Sequence, residues 1–600
     1  MPTVHCPACG TEIPAGAFCG SCGGELSADG KVGRGQLRLR SYAVAPREHV
    51  LRPWVVSSLF PHLPRRSRGP FRVGLATLIV LVAGFAVLRW QAPMIAIAAV
   101  GFPSLYITYL REIDVRQKVS LRRLILGSAI GVVLGVGWAY IAGTVFAEGY
   151  DVALGFETPV GPTVAPAVAI SIAEVLLMFV PALAVRVLSE SRRESLDGFI
   201  VGSLGATAFA AAATATLLAP QLAEGLVADD RSLDGLVVEA GIQGVAMPLT
   251  AAAVGGMFGA ALWFTRRPDS SHRQHAPVLA AVVVAVGLFV VLGLLDVSPF
   301  SNSLYVGGYL LIAALALLAL RIALQAALLH ETHDNTGEKG QLRCADCDHV
   351  VPHTAFCSNC GVATRASPRT PRDETGTAPV RRAGYTRVLG TVGVVNAAAT
   401  AIAVAVSMLI TPEPAPYKCP PECGRPPIGT PVETNPRYSP DDGAFSVNYP
   451  GPGSAYKATF NADGVVLDYL AGDTGTLALF GQPAANRTAK EIALGLIQEK
   501  YPGATVNYEI PNASVGYQPG YGVAADVFPQ NSTGRYTRLR VLVMVAVKHD
   551  YALIAAAVGP YHKFSPDYGS GHPSGANLEL AMDMGKYVNS FKWRGDRYVR

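Results

Sequence analysis

From Phe71 onward the chain runs in long apolar blocks separated by short polar stretches. Eight blocks fall at about 71–90, 92–110, 122–146, 164–188, 197–219, 236–264, 276–295 and 303–327, and a ninth at about 387–410. Each is near or above the roughly 20 residues that a helix needs to cross a bilayer, so the pattern predicts nine transmembrane helices. Buried helices of a soluble protein would instead need one very large core around eight nearly uncharged segments. Past residue 431 the pattern shortens to alternation, which predicts strands at about 444–449, 455–460, 464–471, 475–480, 504–510, 521–528, 537–548 and 550–558. Two stretches there carry helical spacing: 488–500, with Ile492, Leu496 and Ile497, and 575–591, with Leu578, Ala581, Met582 and Tyr587.

Composition agrees with a membrane chain. Of 600 residues, 16% are charged, against roughly 25% in soluble domains. This excludes a disordered or collagen-like chain and argues against a purely soluble enzyme. The net charge of +5 is too small for this length to indicate nucleic acid, and no nucleic-acid partner is expected. The first thirty residues hold no apolar run of signal-peptide length.

Charge placement predicts the topology. Basic residues cluster before span one (Arg65, Arg66, Arg68, Arg72), between two and three (Arg111, Arg116, Lys118, Arg122, Arg123), between four and five (Arg186, Arg192, Arg193) and between six and seven (Arg266, Arg267, Arg273). The alternate loops are acidic or uncharged: 147–163 carries Glu148, Asp151 and Glu157, and 220–235 carries Glu224, Asp229, Asp230 and Asp234 against Arg231. Arg89 is the exception. Basic loops stay cytoplasmic. The N-terminus is therefore expected inside, and span nine, preceded by Arg381, Arg382 and Arg387, carries the C-terminal domain out. Segment 26–70 reads as a juxtamembrane linker, either lying on the membrane surface or extended.

Eight of the ten cysteines form a repeated motif. Cys6-x-x-Cys9 precedes Phe18-Cys19-x-x-Cys22-Gly23, and Cys344-x-x-Cys347 precedes Phe356-Cys357-x-x-Cys360-Gly361, both with nine residues between the pairs. Each C-x-x-C turn sets two thiolates on one side of a knuckle, and two knuckles supply a tetrahedral four-sulfur site. The expectation is two structural zinc ions, at residues 1–25 and 340–362. The competing redox or disulfide reading is disfavoured on the cytoplasmic side. These stretches resemble the short zinc ribbons of many bacterial membrane proteins. His330 and His333 read as an interfacial pair. Cys419 and Cys423 lie in a proline-rich spacer, 411–430; a local disulfide is the preferred reading there, a free or lipid-modified cysteine the alternative.

Within the apolar region Glu174 is the informative charge, because an intramembrane carboxylate is costly and usually functional. The bland alternative is a protonated carboxyl bonded to a neighbour near Thr214, Thr216 or Gln243. Three stretches carry a resemblance: Ser171-Ile172-Ala173-Glu174; Glu194-Ser195-Leu196-Asp197-Gly198-Phe199 with Gly202, Gly205 and Phe209; and Gln243-Gly244 through Gly255. Together they resemble the PrsW family of bacterial intramembrane proteases. That family has a Glu-Glu-x-x-Lys motif, a Phe-x-x-x-Glu motif and a later intramembrane His. Here the first reads Ala173-Glu174-Val175-Leu176-Leu177, the second ends in Ala213, and the third stretch lacks His. The resemblance therefore implies the family's membrane fold, at 71–330, without its catalytic set.

The strand and helix order of 431–600 resembles PsbP-like sandwich domains, which implies binding or sensing. The expected fold is multi-domain: a polytopic all-α membrane bundle, two zinc ribbons, a flexible linker at 363–386, a ninth helix at 387–410 and an α+β sandwich. The expected function is a bacterial plasma-membrane protein without catalytic activity, a sensor or scaffold for membrane or envelope proteins. The alternative is an intramembrane protease using Glu174 with Glu239 or Asp197.

Overall fold

In the computed structural model, residues 3–596 are described apart from 8, 27–37, 114–118, 150–159, 189–193, 225, 229–232, 266–275, 297, 299, 332–340, 367–382, 411–434, 452–455, 470–474, 529–537, 562–583 and 586. Cys419, Cys423 and His333, the proline-rich spacer, most of the 363–386 linker and the first half of the 575–591 helix lie outside the described residues.

The chain divides into two compact units. The first holds nine helices long and apolar enough to cross a membrane, counted among the described residues. A short helix α1 (Val55–Leu59) precedes α2 (Arg68–Val87), α3 (Gln91–Glu112), α4 (Leu121–Gly149), α5 (Val160–Val187) and α6 (Ser195–Leu218). Helix α7 (Leu233–Gly241) runs through a π turn, Ile242–Ala246, into α8 (Met247–Trp263). Helices α9 (Ala276–Asp296), α10 (Asn302–His330) and α11 (Tyr385–Ile410) complete the set. All nine fall on the expected apolar blocks.

Glycine sets how these helices pack. A Cβ on Gly198 or Gly202 of α6 would collide with the carbonyl oxygen of Gly259 or Gly255 on α8. Further along α6, a Cβ on Gly131 or Gly135 of α4 would meet the carbonyls of Gly205 and Phe209. Helix α6 is thus clasped by two backbone-to-backbone contacts. Small residues at four-residue spacing permit that approach where lipid gives no hydrophobic drive. Gly198, Gly202, Gly205, Phe209 and Gly255, singled out in the sequence, all serve this packing.

Span nine is isolated in sequence but not in space. Asn396 of α11 donates to Ser104 of α3 at 2.9 Å, buried, and Val388 and Val392 join the main helix core.

The segment before α2 departs from a linker. Tyr42, Val44, Val50, Leu59, Phe60 and Leu63 are buried in the helix core. Gln325 of α10 accepts from Ala43 N–H at 2.7 Å and donates to the Ser41 carbonyl at 3.0 Å. Arg321, wholly buried, donates to Ser57 at 2.8 Å and stacks on the Tyr42 ring. A buried guanidinium must have its donors and charge answered locally, and this segment supplies the partners.

The second unit contains the C-terminal domain. Its seven-stranded antiparallel sheet has the order β10-β13-β14-β15-β9-β8-β7. These strands are β7 (Tyr456–Asn461), β8 (Gly464–Tyr469), β9 (Thr476–Pro483), β10 (Thr505–Ile510), β13 (Tyr521–Val527), β14 (Leu539–Lys548) and β15 (Tyr551–Pro560). The central pair is a hairpin turning at His549 and Asp550, both at positive φ, as a two-residue primed turn requires. Alternation divides the side chains between two faces. Val541, Val543, Ile554 and Ala556 face helix α12 (Ala489–Lys500). Leu542, Ala546, Leu553 and Ala555 face Phe445, Tyr587, Phe591 and Trp593. Helix α12 opens with a reciprocal Thr488–Glu491 capping box. The eight expected strands are present. Strand β5 (Arg437–Tyr438), which pairs with the expected β6 (Phe445–Asn448), and the short pair β11 (Ser514–Val515) with β12 (Gln518–Pro519) add detail that alternation over two residues cannot reveal.

Candidate metal centres

Each ribbon is one small hairpin and two knuckles: β1 (Thr3–His5) with β2 (Glu12–Pro14), and β3 (Gln341–Arg343) with β4 (Val350–Pro352). The knuckles are built alike. Gly23 N–H donates to the Cys19 carbonyl at 2.7 Å and Gly361 N–H to that of Cys357 at 2.9 Å. Both glycines have positive φ, 71° and 78°, which a side chain would strain.

The four sulfurs of each ribbon lie within 4.8 Å of one another. Cys6–Cys22 and Cys9–Cys19 stand at 3.7 and 3.8 Å, and Cys344–Cys360 and Cys347–Cys357 at 3.6 and 3.8 Å. A tetrahedral thiolate site with a metal–sulfur bond of about 2.3 Å has edges of about 3.8 Å. The donor set and its dimensions thus fit a metal ion at both sites. The cysteines of each site share hydrogen bonds: bonding to Cys19 and Arg38 pulls the Cys22 thiol down while the same pairing pushes the Cys19 thiol up, and bonding to Cys344 pulls Cys357 down while Cys344 is itself pushed up.

Sequence reasoning missed how the ribbons meet. Phe18 N–H donates to the Ser358 carbonyl and Phe356 N–H to the Gly20 carbonyl, both at 2.9 Å. A Cβ on Gly23 would press on the Phe356 ring, and one on Gly361 on the Phe18 ring. Gly16 packs on Ser358 and Gly20 on Thr354. Counting from the first cysteine of each motif, Gly20 corresponds to Ser358 and Gly16 to Thr354, so the contacts exchange under a local two-fold relation. The repeated Phe-Cys-x-x-Cys-Gly ending was the available signal.

Ribbon two is also tied to the helices. Ala363 N–H donates to the Ala43 carbonyl at 2.8 Å, and Asp346 accepts from Arg65 N–H at 2.6 Å. Arg365 pairs with Glu331 at 2.6 Å, and Glu331 also accepts from Ser195 N–H at the start of α6. Burial pushes the Glu331 carboxyl up to about 7, with Arg365 and Ser195 pulling the other way.

Asp197 lies far along the helix axes from Glu174 and Glu239. Gly205 of α6 meets Pro181 of α5; Glu174 lies about two turns to one side of that contact and Asp197 about two turns to the other, about 20 Å apart along the axes. Gly198 meets Gly259, which sets Asp197 and Glu239 about 30 Å apart by the same measure. Thr214 donates to Gln243 at 3.0 Å, and Thr216 to the Ala212 carbonyl. In the C-terminal domain Tyr501 is buried against the α12 side, Tyr508 flanks the opposite face and Tyr517 is exposed, so these three tyrosines line no common surface. The chain has no match among protein-family models, among curated proteins or among solved structures.

Proposed function

We propose that this chain is a multi-pass membrane protein of the bacterial plasma membrane. It carries a paired, zinc-filled ribbon module on the cytoplasmic side and a binding or sensing domain outside. It works as a scaffold or sensor for membrane or envelope partners rather than as an enzyme. The supporting observation is the ribbon pair itself: four sulfurs at tetrahedral spacing in each ribbon, locked to each other and to the helix ends. Four thiolates fill a zinc coordination sphere and leave no position for substrate. The basic loops support the sidedness. A degenerate PrsW-like ancestry remains part of the proposal. The axial distance of Asp197 from both Glu174 and Glu239 argues against a water shared with Asp197, as hydrolysis by that pair would need.

Metal analysis of the purified chain tests the module, with two zinc ions per chain expected. Reporter fusions at Cys22 and Trp593 test the sidedness; activity of both in one compartment would refute it. Cleavage of a membrane substrate that is lost in Glu174→Gln would refute the non-catalytic role.

A further inference from the structure

We infer that the two ribbons form a single two-metal unit, in which occupancy of either four-cysteine site stabilises the other. The inference rests on the metal reading above and goes beyond it. Neither ribbon has a core of its own: the first buries Ile13 against its cysteines, the second Val351. Such a module folds only with its metal. What each ribbon offers the other comes from its second knuckle. The accepting carbonyls belong to Gly20 and Ser358, each held between two ligand cysteines. The glycines beneath the partner rings, Gly23 and Gly361, each follow the last ligand. Loss of metal from one site therefore releases the carbonyl and the surface on which the other ribbon's Phe is seated. The coupling is reciprocal, as linkage between two binding sites must be. It also has an outlet, since ribbon two carries Asp346, Ala363 and Arg365 to the helix ends. Metal at ribbon one thereby bears on how the α6 start and the α10 end are held.

The test uses the full chain in detergent, loaded with zinc. Alkylation of each cysteine peptide is followed by mass spectrometry. Gly20→Val keeps all eight cysteines but drives a side chain into Thr354. Cys19→Ser removes one ligand from ribbon one. In both, Cys344, Cys347, Cys357 and Cys360 are expected to alkylate at least about tenfold faster than in the unaltered chain. Cys360→Ser should do the same to Cys6, Cys9, Cys19 and Cys22. Gly137→Ala, at an open helix position, serves as the control and should change neither set. Protection of the unaltered ribbon at the original rate would overturn the coupling while leaving the metal reading intact. Free reaction of all eight thiols in the unaltered, zinc-loaded chain would overturn both.

Discussion

The Arg321 guanidinium of α10 stands 2.8 Å from the carboxylate of Glu48, a residue 273 positions earlier. Arg321 is fully buried, and Glu48 also accepts from Ser57 and faces Arg68 at 3.9 Å. Removing one member of such a pair strands the other charge. Glu48→Ala should therefore cost about 3–5 kcal/mol, read as a lower melting temperature in detergent. Arg321→Met, which removes the charge and keeps the bulk, should cost less when combined with Glu48→Gln than Glu48→Ala costs alone.

Gly202 is where α6 and α8 touch backbone to backbone. Gly202→Val should destabilise the helices by about 2–3 kcal/mol through overpacking. Gly287→Val, where nothing lies within 4 Å of a Cβ, should not. Equal melting temperatures for the two variants would contradict the clasp around α6.

Glu331 has a folded-state pKa of about 7 because burial outweighs Arg365 and Ser195 N–H, against an ordinary carboxyl value of about 4.3. The folded state then holds the proton that the unfolded state releases between these values. Stability from this group is full below about pH 4.3 and is lost as pH rises to about 7. Glu331→Gln should flatten that part of the profile by about 3–4 kcal/mol, measured as melting temperature against pH relative to the unaltered chain.

In the C-terminal domain Asp526 of β13 pairs across the strands with Arg540 of β14 at 2.8 Å and with Arg538 at 2.7 Å. Burial pushes its carboxyl up, but the two arginines outweigh burial and hold it below the ordinary range. Its contribution is thus present above the ordinary value, about pH 4, and is lost as pH falls further. Asp526→Asn should weaken this region by about 3 kcal/mol. Faster hydrogen exchange in peptides spanning β13 and β14 of the full chain would show it.

Local features of this chain were legible without a structure. A span of twenty apolar residues, a C-x-x-C knuckle, a strand with period two and a capped helix such as 488–500 each express their preference within a few turns of chain. Long-range partnerships were not. The burial of Tyr42 and Ser57 against Arg321, the docking of Asn396 on Ser104 and the clasp through Gly202 and Gly255 join residues far apart in sequence. In each case the polar group or small side chain looks ordinary until its partner is seen. The same holds for the metal sites. The ligands could be named from spacing alone, because thiolate geometry is set within one ribbon. Their face-to-face pairing was decided only in three dimensions, where two backbones without cores of their own bury themselves against each other.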